Sequence, residues 1–548
     1  MKKYCNALFI CLLACVTCNA ADDVVYLDQG LSADERQKYY YDPQGSSLMP
    51  YDWFLALEQP YNDKPFNDDD YIRSFGYLPN QKNEHNPDGL PVGFTKSVRG
   101  GKQLMGLTCA ACHTGQISYQ GKSLRIDGGA GLPDVVAFQD ALTDALKQTI
   151  NRPEKWARFS KKILGANSQP QKLQALQDEA RSLVTELEDW SARNRPAHAG
   201  GFGRWDAMHV AFNDVAAFAL STPENFRTPM APVSYPCIWL TSDLDNVLWN
   251  GSVHSIISRG IGESVIVFGK LKLDKNLQFH SSVSIPELDN MYGALKSLEP
   301  PQWPEEVLGK IDQKKAARGE ALYARENCAK CHANKPPYPM TEPNVHGRQF
   351  IRTTNTPLEE IGTDPVYAAG FLRRTAVQSI AAPLFKGTMY EKSETMPAAI
   401  LFLKGLAVFT ETKFAEMKAT PEQILQYSGD REPVQVPMTP EALEATIKAL
   451  SGYKTQPLAG VWSTAPYLHN GSVSSLYELL LPAERRAKTF FVGNREFDPR
   501  AVGYQSAEAP NLFRFDTSIP GNSNVGHEFG TKLTDEERWD LVEYLKTL

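Results

Sequence analysis

Two pentapeptides carry the chemistry of this chain most plainly: Cys109-Ala110-Ala111-Cys112-His113 and Cys328-Ala329-Lys330-Cys331-His332. Each has the pattern Cys-x-x-Cys-His. On one helical turn, residues i and i+3 share a face, so both thiols reach the two vinyl groups of a single porphyrin and form thioethers. The histidine that follows then offers its imidazole to the iron as proximal ligand. A thioredoxin-like pair accounts for one Cys-x-x-Cys, and two such pairs supply four thiolates to a tetrahedral zinc ion. Neither alternative explains a histidine directly after the second cysteine in both copies together with an export signal. The sequence therefore predicts two covalently bound haem c groups. Their thioethers fall on Cys109, Cys112, Cys328 and Cys331, and their proximal ligands are His113 and His332.

The export signal is read at the N-terminus. Lys2 and Lys3 precede an apolar run from Ala7 to Val16, and small residues follow at Ala20 and Ala21. This is the layout of a secretory signal over residues 1–20, too short for a permanent membrane helix. Leu12-Leu13-Ala14-Cys15 loosely fits a lipoprotein box, with Leu13 unusual at its place. The expected location is the periplasm, with secretion or lipid anchoring as variants, and no other stretch approaches the length of a stable membrane span. Four of the nine cysteines (Cys5, Cys11, Cys15 and Cys18) leave with the signal. The odd one among the remainder, Cys237, reads as a buried small hydrophobe.

These motifs must be positioned by a chain of 548 residues, long enough for two domains. Hydrophobic residues make up 42% and charged residues 22%, the balance of a soluble globular protein. A net charge of −7 without a basic block argues against a nucleic-acid partner. Turn signals at Asn80, Asn86-Pro87-Asp88-Gly89 and Gly100-Gly101 mark residues 22–105 as loop-rich. Three- and four-residue apolar spacing predicts helices over 133–150 and 173–190. Residues 200–270 read as loops and short helices. Pro300, Pro301 and Pro304 mark a boundary between an N-terminal unit, 21–300, and a C-terminal unit, 301–548. A helix over 304–327 would deliver Cys328, and Thr534-x-x-Glu537 is a capping box opening a terminal helix. Strand periodicity is scarce. The expected fold class is mainly α with long loops, organised as two cytochrome c-like haem domains with extended insertions.

Longer segments around the motifs carry a resemblance. They are Asn86-Pro87-Asp88-Gly89-Leu90-Pro91-Val92-Gly93-Phe94, Gly106-Leu107-Thr108, Arg125-Ile126-Asp127-Gly128-Gly129, Trp249-Asn250-Gly251-Ser252 and Arg259-Gly260-Ile261-Gly262. The C-terminal half adds Thr464-Ala465-Pro466-Tyr467-Leu468-His469-Asn470-Gly471-Ser472 and the run from Gly521 to Gly530. Together they resemble the bacterial dihaem cytochrome c peroxidase superfamily, in particular its larger branch with the haem-type rubber oxygenase and dihaem fatty-acid dioxygenases.

The resemblance implies a catalytic N-terminal haem with an open sixth position, and a six-coordinate, bis-histidine C-terminal haem serving electron transfer. It assigns His527 as distal ligand of the second haem, and Gly526 and Gly530 would let the backbone approach a bulky porphyrin there. His469 is a competing ligand, as are Met340, Met389 and Met396. Trp249, Arg259 and Phe268 fall in the segment similar to the distal-pocket wall of the first haem, although each reads equally well as core or as a structural ion pair. His254 and Glu263 lie nearby in sequence and would suit peroxide cleavage, which wants an acid–base group beside the bound oxygen.

Four functions follow from the motifs and the resemblance together. The favoured one is an exported redox enzyme that uses O2 to oxygenate an unsaturated apolar substrate, a fatty acid or polyisoprene, with residues 150–300 building a tunnel for it. The alternatives are a peroxidase reducing H2O2 with electrons from a small donor cytochrome, a pure electron-transfer cytochrome, and an enzyme oxidising a partner protein.

Overall fold

The computed structural model describes residues 24–548 except 275, 373 and 433–438, without the side chains of 371 and 372. The predicted signal, 1–20, lies outside the described residues. Helix α1, Ala33–Tyr41, opens on a reciprocal capping box between Ser32 and Glu35 and buries Tyr39 and Tyr40. The Tyr40 hydroxyl meets the Asp127 carboxylate, which also accepts from Arg36 Nε at 2.7 Å.

The region read as loop-rich contains more strand than its periodicity suggested. Strands β1, Phe94–Arg99, and β2, Lys102–Leu107, form a hairpin turning through Gly100-Gly101, both at positive φ as tight hairpin turns require. Strands β3, Thr114–Tyr119, and β4, Lys122–Asp127, form a second hairpin. The Cys109–Ala111 turn sits between the two, so the first motif is gripped on both sides by short hairpins. Gly93 sets this grip: a Cβ there would lie 2.0 Å from Ala111 N, so any side chain would push the motif away. Helix takes 41% of the described residues and strand 15%. The strands are two to six residues long and many bury both faces, which hides the alternation a sequence reading relies on.

Helices α2, Val135–Asn151, α3, Pro153–Leu164, and α4, Pro170–Asn194, pack together over an aromatic core containing Trp53, Phe54, Phe66 and Phe138. Helix α5, Ala207–Phe212, continues into a π-helical segment, Asn213–Ala219. Two-residue strand β5, Val233–Ser234, pairs with Arg204–Trp205. Helix α6, Ile256–Ile266, is capped by Ser255. A second buried core runs from Leu31 to Leu548 and takes residues from both sides of the proline-rich stretch. Pro301 O accepts Trp462 Nε1 at 2.9 Å, and Trp303 meets the Trp462 ring edge-on. The predicted boundary is thus a covered seam.

In the C-terminal half, the helix expected over 304–327 is broken at Gly309, whose φ is +93°, into Glu305–Leu308 and α7, Gln313–Arg325. Helix α8, Ala398–Met417, is apolar nearly all round and buried. Strand β6, Gly452–Thr455, pairs with Thr354–Pro357. Helix α9, Asp535–Leu545, opens on the Thr534–Glu537 capping box. Gly319 lets α7 cross α9 closely, since a Cβ there would sit 2.1 Å from Asp540 O.

Candidate functional site

Both Cys-x-x-Cys-His segments fold into the same 3₁₀ turn. The His113 amide donates to Cys109 O at 2.9 Å, and the His332 amide to Cys328 O at 3.0 Å. A tyrosine from a helix earlier in the chain secures each histidine carbonyl: Tyr39 Oη donates to His113 O at 2.5 Å and Tyr323 Oη to His332 O at 2.7 Å. The imidazoles are oriented alike as well. His113 Nδ1 contacts Pro236 O at 2.7 Å, and His332 Nδ1 contacts Gln456 O at 3.2 Å. With Nδ1 donating to a carbonyl, Nε2 is left unprotonated and available to a metal. Burial lowers the pKa of both imidazoles, that of His113 to about 4, so both stay neutral.

Each motif lines its own cavity. The first is lined by Cys109, Cys112 and His113, the second by Cys328, Cys331 and His332. The four thiols are therefore divided between two sites. No group of three or more His, Cys, Asp or Glu side chains among the described residues is placed to hold one metal ion, which removes the shared zinc site from consideration.

The second cavity contains the sharpest geometry. His527 faces His332 with ring centroids 6.4 Å apart. Two metal–imidazole bonds of about 2 Å, with each ring centre roughly 1 Å beyond its nitrogen, would put two axial imidazoles about 6 Å apart. The pair is thus spaced to hold one iron between them. Burial, then His332 and the Arg486 guanidinium, depress the His527 pKa to about 3, which keeps the imidazole neutral. The backbone of His527 is in the left-handed region at φ +49°, a cost that tightly built sites sustain. Its amide donates to Ile361 O at 2.8 Å.

Arg486, which the sequence reading did not single out, ties down this loop. Fully buried, it donates to the carbonyls of Leu479, Leu481, Asn524, Gly526 and His527. The space at Gly526 is taken by the backbone of Gly362 and not kept for a porphyrin, as expected from sequence: a Cβ there would sit 2.2 Å from Gly362 C. Gly530 has only ordinary contacts with leucine side chains.

His469 also lines the second cavity but stacks on Tyr453, with ring centroids 3.8 Å apart. Of the methionines considered, Met340 and Met389 are exposed and Met396 lies in the core; none lines either cavity.

Around the first cavity, the structure brings Trp249 and Arg259 together and leaves Phe268 out. Phe268 packs on Trp190 at 4.9 Å in the aromatic core, while its neighbours Ile266 and Val267 line the cavity. Trp249 lines both cavities, with its indole Nε1 donating to Ser234 O at 2.9 Å. Arg259 Nε donates to Glu263 Oε1 at 2.6 Å, and the other Glu263 oxygen lies 3.8 Å from Cys109 Sγ. Glu263 is therefore inside the site, whereas His254 lines neither cavity.

The remaining walls are mostly apolar, among them Met208, Ala211, Leu244, Val253, Phe402 and Leu406. The last two come from α8, some 290 residues beyond the motif they cover. Residues 150–204 contribute nothing to the cavity; its N-terminal-half walls beyond the motif begin at Trp205. Cys237 sits at the border of the two cavities and its Sγ accepts from Gln456 Nε2 at 3.1 Å.

The paired thiols, oriented imidazoles and cavities fit haem c at each motif. Comparisons agree with that chemistry. Residues 452–491 match the RoxA-like, cytochrome c-like family. Over 96% of its length the chain is 33% identical to an uncharacterised protein y4iJ of Sinorhizobium fredii, covering 94% of that protein. A second S. fredii protein, y4iM, also uncharacterised, is 28% identical over 64% of the chain and 71% of its own length.

Proposed function

Because the chain belongs to the family of the S. fredii y4iJ protein and bears a RoxA-like cytochrome c segment, we propose that it is an exported dihaem oxidoreductase that oxygenates an unsaturated apolar substrate with O2. In this reading the chain forms two cytochrome c-like units. The first haem is the catalyst and the second, between His332 and His527, an electron reservoir. The observation that carries the reading is the largely apolar wall of the first cavity, to which α8 contributes Phe402 and Leu406. Such a wall suits a porphyrin face and an apolar substrate beside it better than a polar one.

Cys109, Cys112 and His113 would hold haem c, which would supply an iron able to exchange electrons and to bind a small oxidant. The chain's own residues do the rest. The Pro236 carbonyl fixes the His113 tautomer and ring plane. Arg259 holds the Glu263 carboxylate in place through Oε1. Export accords with the N-terminal layout and with thioether attachment, and no helix among the described residues is long and apolar enough to cross a membrane.

Glu263 favours a second reading, a peroxidase fed by a small donor cytochrome. A carboxylate beside the site can take and return the proton that peroxide cleavage requires, and losing such a group costs typically 10²–10⁴-fold. The readings separate in one experiment. Oxygen uptake is recorded with oleate or latex and no peroxide, and oxidation of reduced cytochrome c is recorded with H2O2. The oxygenase reading predicts uptake that Glu263→Gln changes by no more than a few-fold. Absent uptake, with peroxide turnover that falls at least a hundredfold in Glu263→Gln, would establish the peroxidase.

A further inference from the structure

The loop that carries Trp249 has a counterpart in the other half. Leu248-Trp249-Asn250-Gly251-Ser252-Val253 and Leu468-His469-Asn470-Gly471-Ser472-Val473 share a pattern in sequence, and they share a backbone. Leu248 and Leu468 both lie at positive φ (+68° and +65°), as do Gly251 and Gly471 (+66° and +65°). Each loop closes on a bridge, Val247 to Val253 and Tyr467 to Val473. In each, the asparagine Oδ1 accepts the amide two residues on, at 3.3 Å.

The two loops exchange partners across the molecule. The His469 carbonyl, in the C-terminal half, accepts the Ser234 amide at 2.9 Å and its Oγ at 3.1 Å. Two residues further along the chain is Pro236, whose carbonyl holds His113. The Trp249 carbonyl, in the N-terminal half, accepts the Lys454 amide at 2.7 Å. Two residues further along is Gln456, whose carbonyl holds His332. The Trp249 indole closes the circuit by donating to Ser234 O.

We propose that Asn250 and Asn470 are positioning residues that couple the two haem sites crosswise: each half's loop sets the carbonyl that orients the other half's proximal histidine. The physical link is the Nδ1 hydrogen bond. A firm acceptor gives the imidazole anionic character, which stabilises the ferric state and lowers the reduction potential; a loosened acceptor does the reverse.

Neither asparagine lines a cavity, and both are buried, so toward the other half's histidine their effect travels through the loop. Asn470 Nδ2 also donates to Gly521 O at 3.1 Å and Ser523 O at 2.9 Å, in the segment that carries His527. For Asn470, the midpoint of the first haem is therefore the one that reports the crossing. The inference rests on haem at both motifs. Its test is a spectroelectrochemical titration of the intact holoprotein, following each haem by its own optical band. Asn470→Ala is expected to raise the midpoint of the first haem, and Asn250→Ala that of the second. The expected size is about a tenfold change in the ferric-to-ferrous ratio at fixed poise, ~59 mV for one electron. The milder Asn470→Ser and Asn250→Ser are expected to move the same midpoints in the same direction by less, which covers poor folding of the alanine variants. Shifts confined to the haem of the mutated half, or no shift, would overturn the coupling. A wild-type titration with a single haem would overturn the dihaem reading beneath it.

Discussion

A His527→Gly variant is expected to lose the low-spin signature of its second haem almost completely, to bind CO there after reduction, and to recover the original spectrum with added imidazole. The expectation follows from three observations. The His332 and His527 rings are spaced for one iron. The His527 backbone is held at a positive φ that a free loop would relax. Arg486 spends five hydrogen bonds on the carbonyls of that loop and its neighbours. Glycine removes the imidazole and tolerates the backbone angle, so the loop is retained while the ligand is lost. His469 would not replace it, being stacked on Tyr453. Optical and electron paramagnetic resonance spectra of the variant provide the check. An unchanged low-spin spectrum would show that another side chain ligates the second haem.

The second large effect concerns the first motif. Replacing Cys109 and Cys112 by alanine together is expected to abolish turnover of any substrate while the low-spin spectrum of the second haem persists. The two cavities have separate motifs, and the His332–His527 pair draws on none of the residues of the first turn. Both cysteines are buried, and the loss of two small thiols leaves the flanking hairpins β1–β2 and β3–β4 paired. Steady-state assay and the difference spectrum of the variant decide it. Full activity would relocate the chemistry to the second site.

Much of the site was legible because its chemistry is local. Cys-x-x-Cys-His fixes the turn, thiols and proximal ligand within five residues, and the capping box at Thr534 fixes a helix start within four. His527 was reached through resemblance, and the structure supplies its physical support in the ring spacing. What escaped notice depends on distance along the chain. Arg486 acts on carbonyls up to 41 residues away, and nothing in its own neighbourhood marks it. Helix α8 reads as a buried apolar helix, and its place over the first cavity is decided by tertiary packing alone. Phe268 falls in the segment that resembles a distal-pocket wall, but its φ of +70° just beyond α6 turns it toward Trp190. The paired Leu-x-Asn-Gly-Ser-Val loops were present in the sequence as a six-residue repeat, and they gain meaning only once the crossed hydrogen bonds are seen.

The central claim is that two iron porphyrins are bonded to this chain through the four cysteines. The most direct measurement is the intact mass of the purified protein after denaturation. The account predicts the mature polypeptide plus two haem c groups, with one group missing in the Cys109→Ala/Cys112→Ala variant. A denatured chain with no added mass, or with a single haem in the wild type, would contradict it.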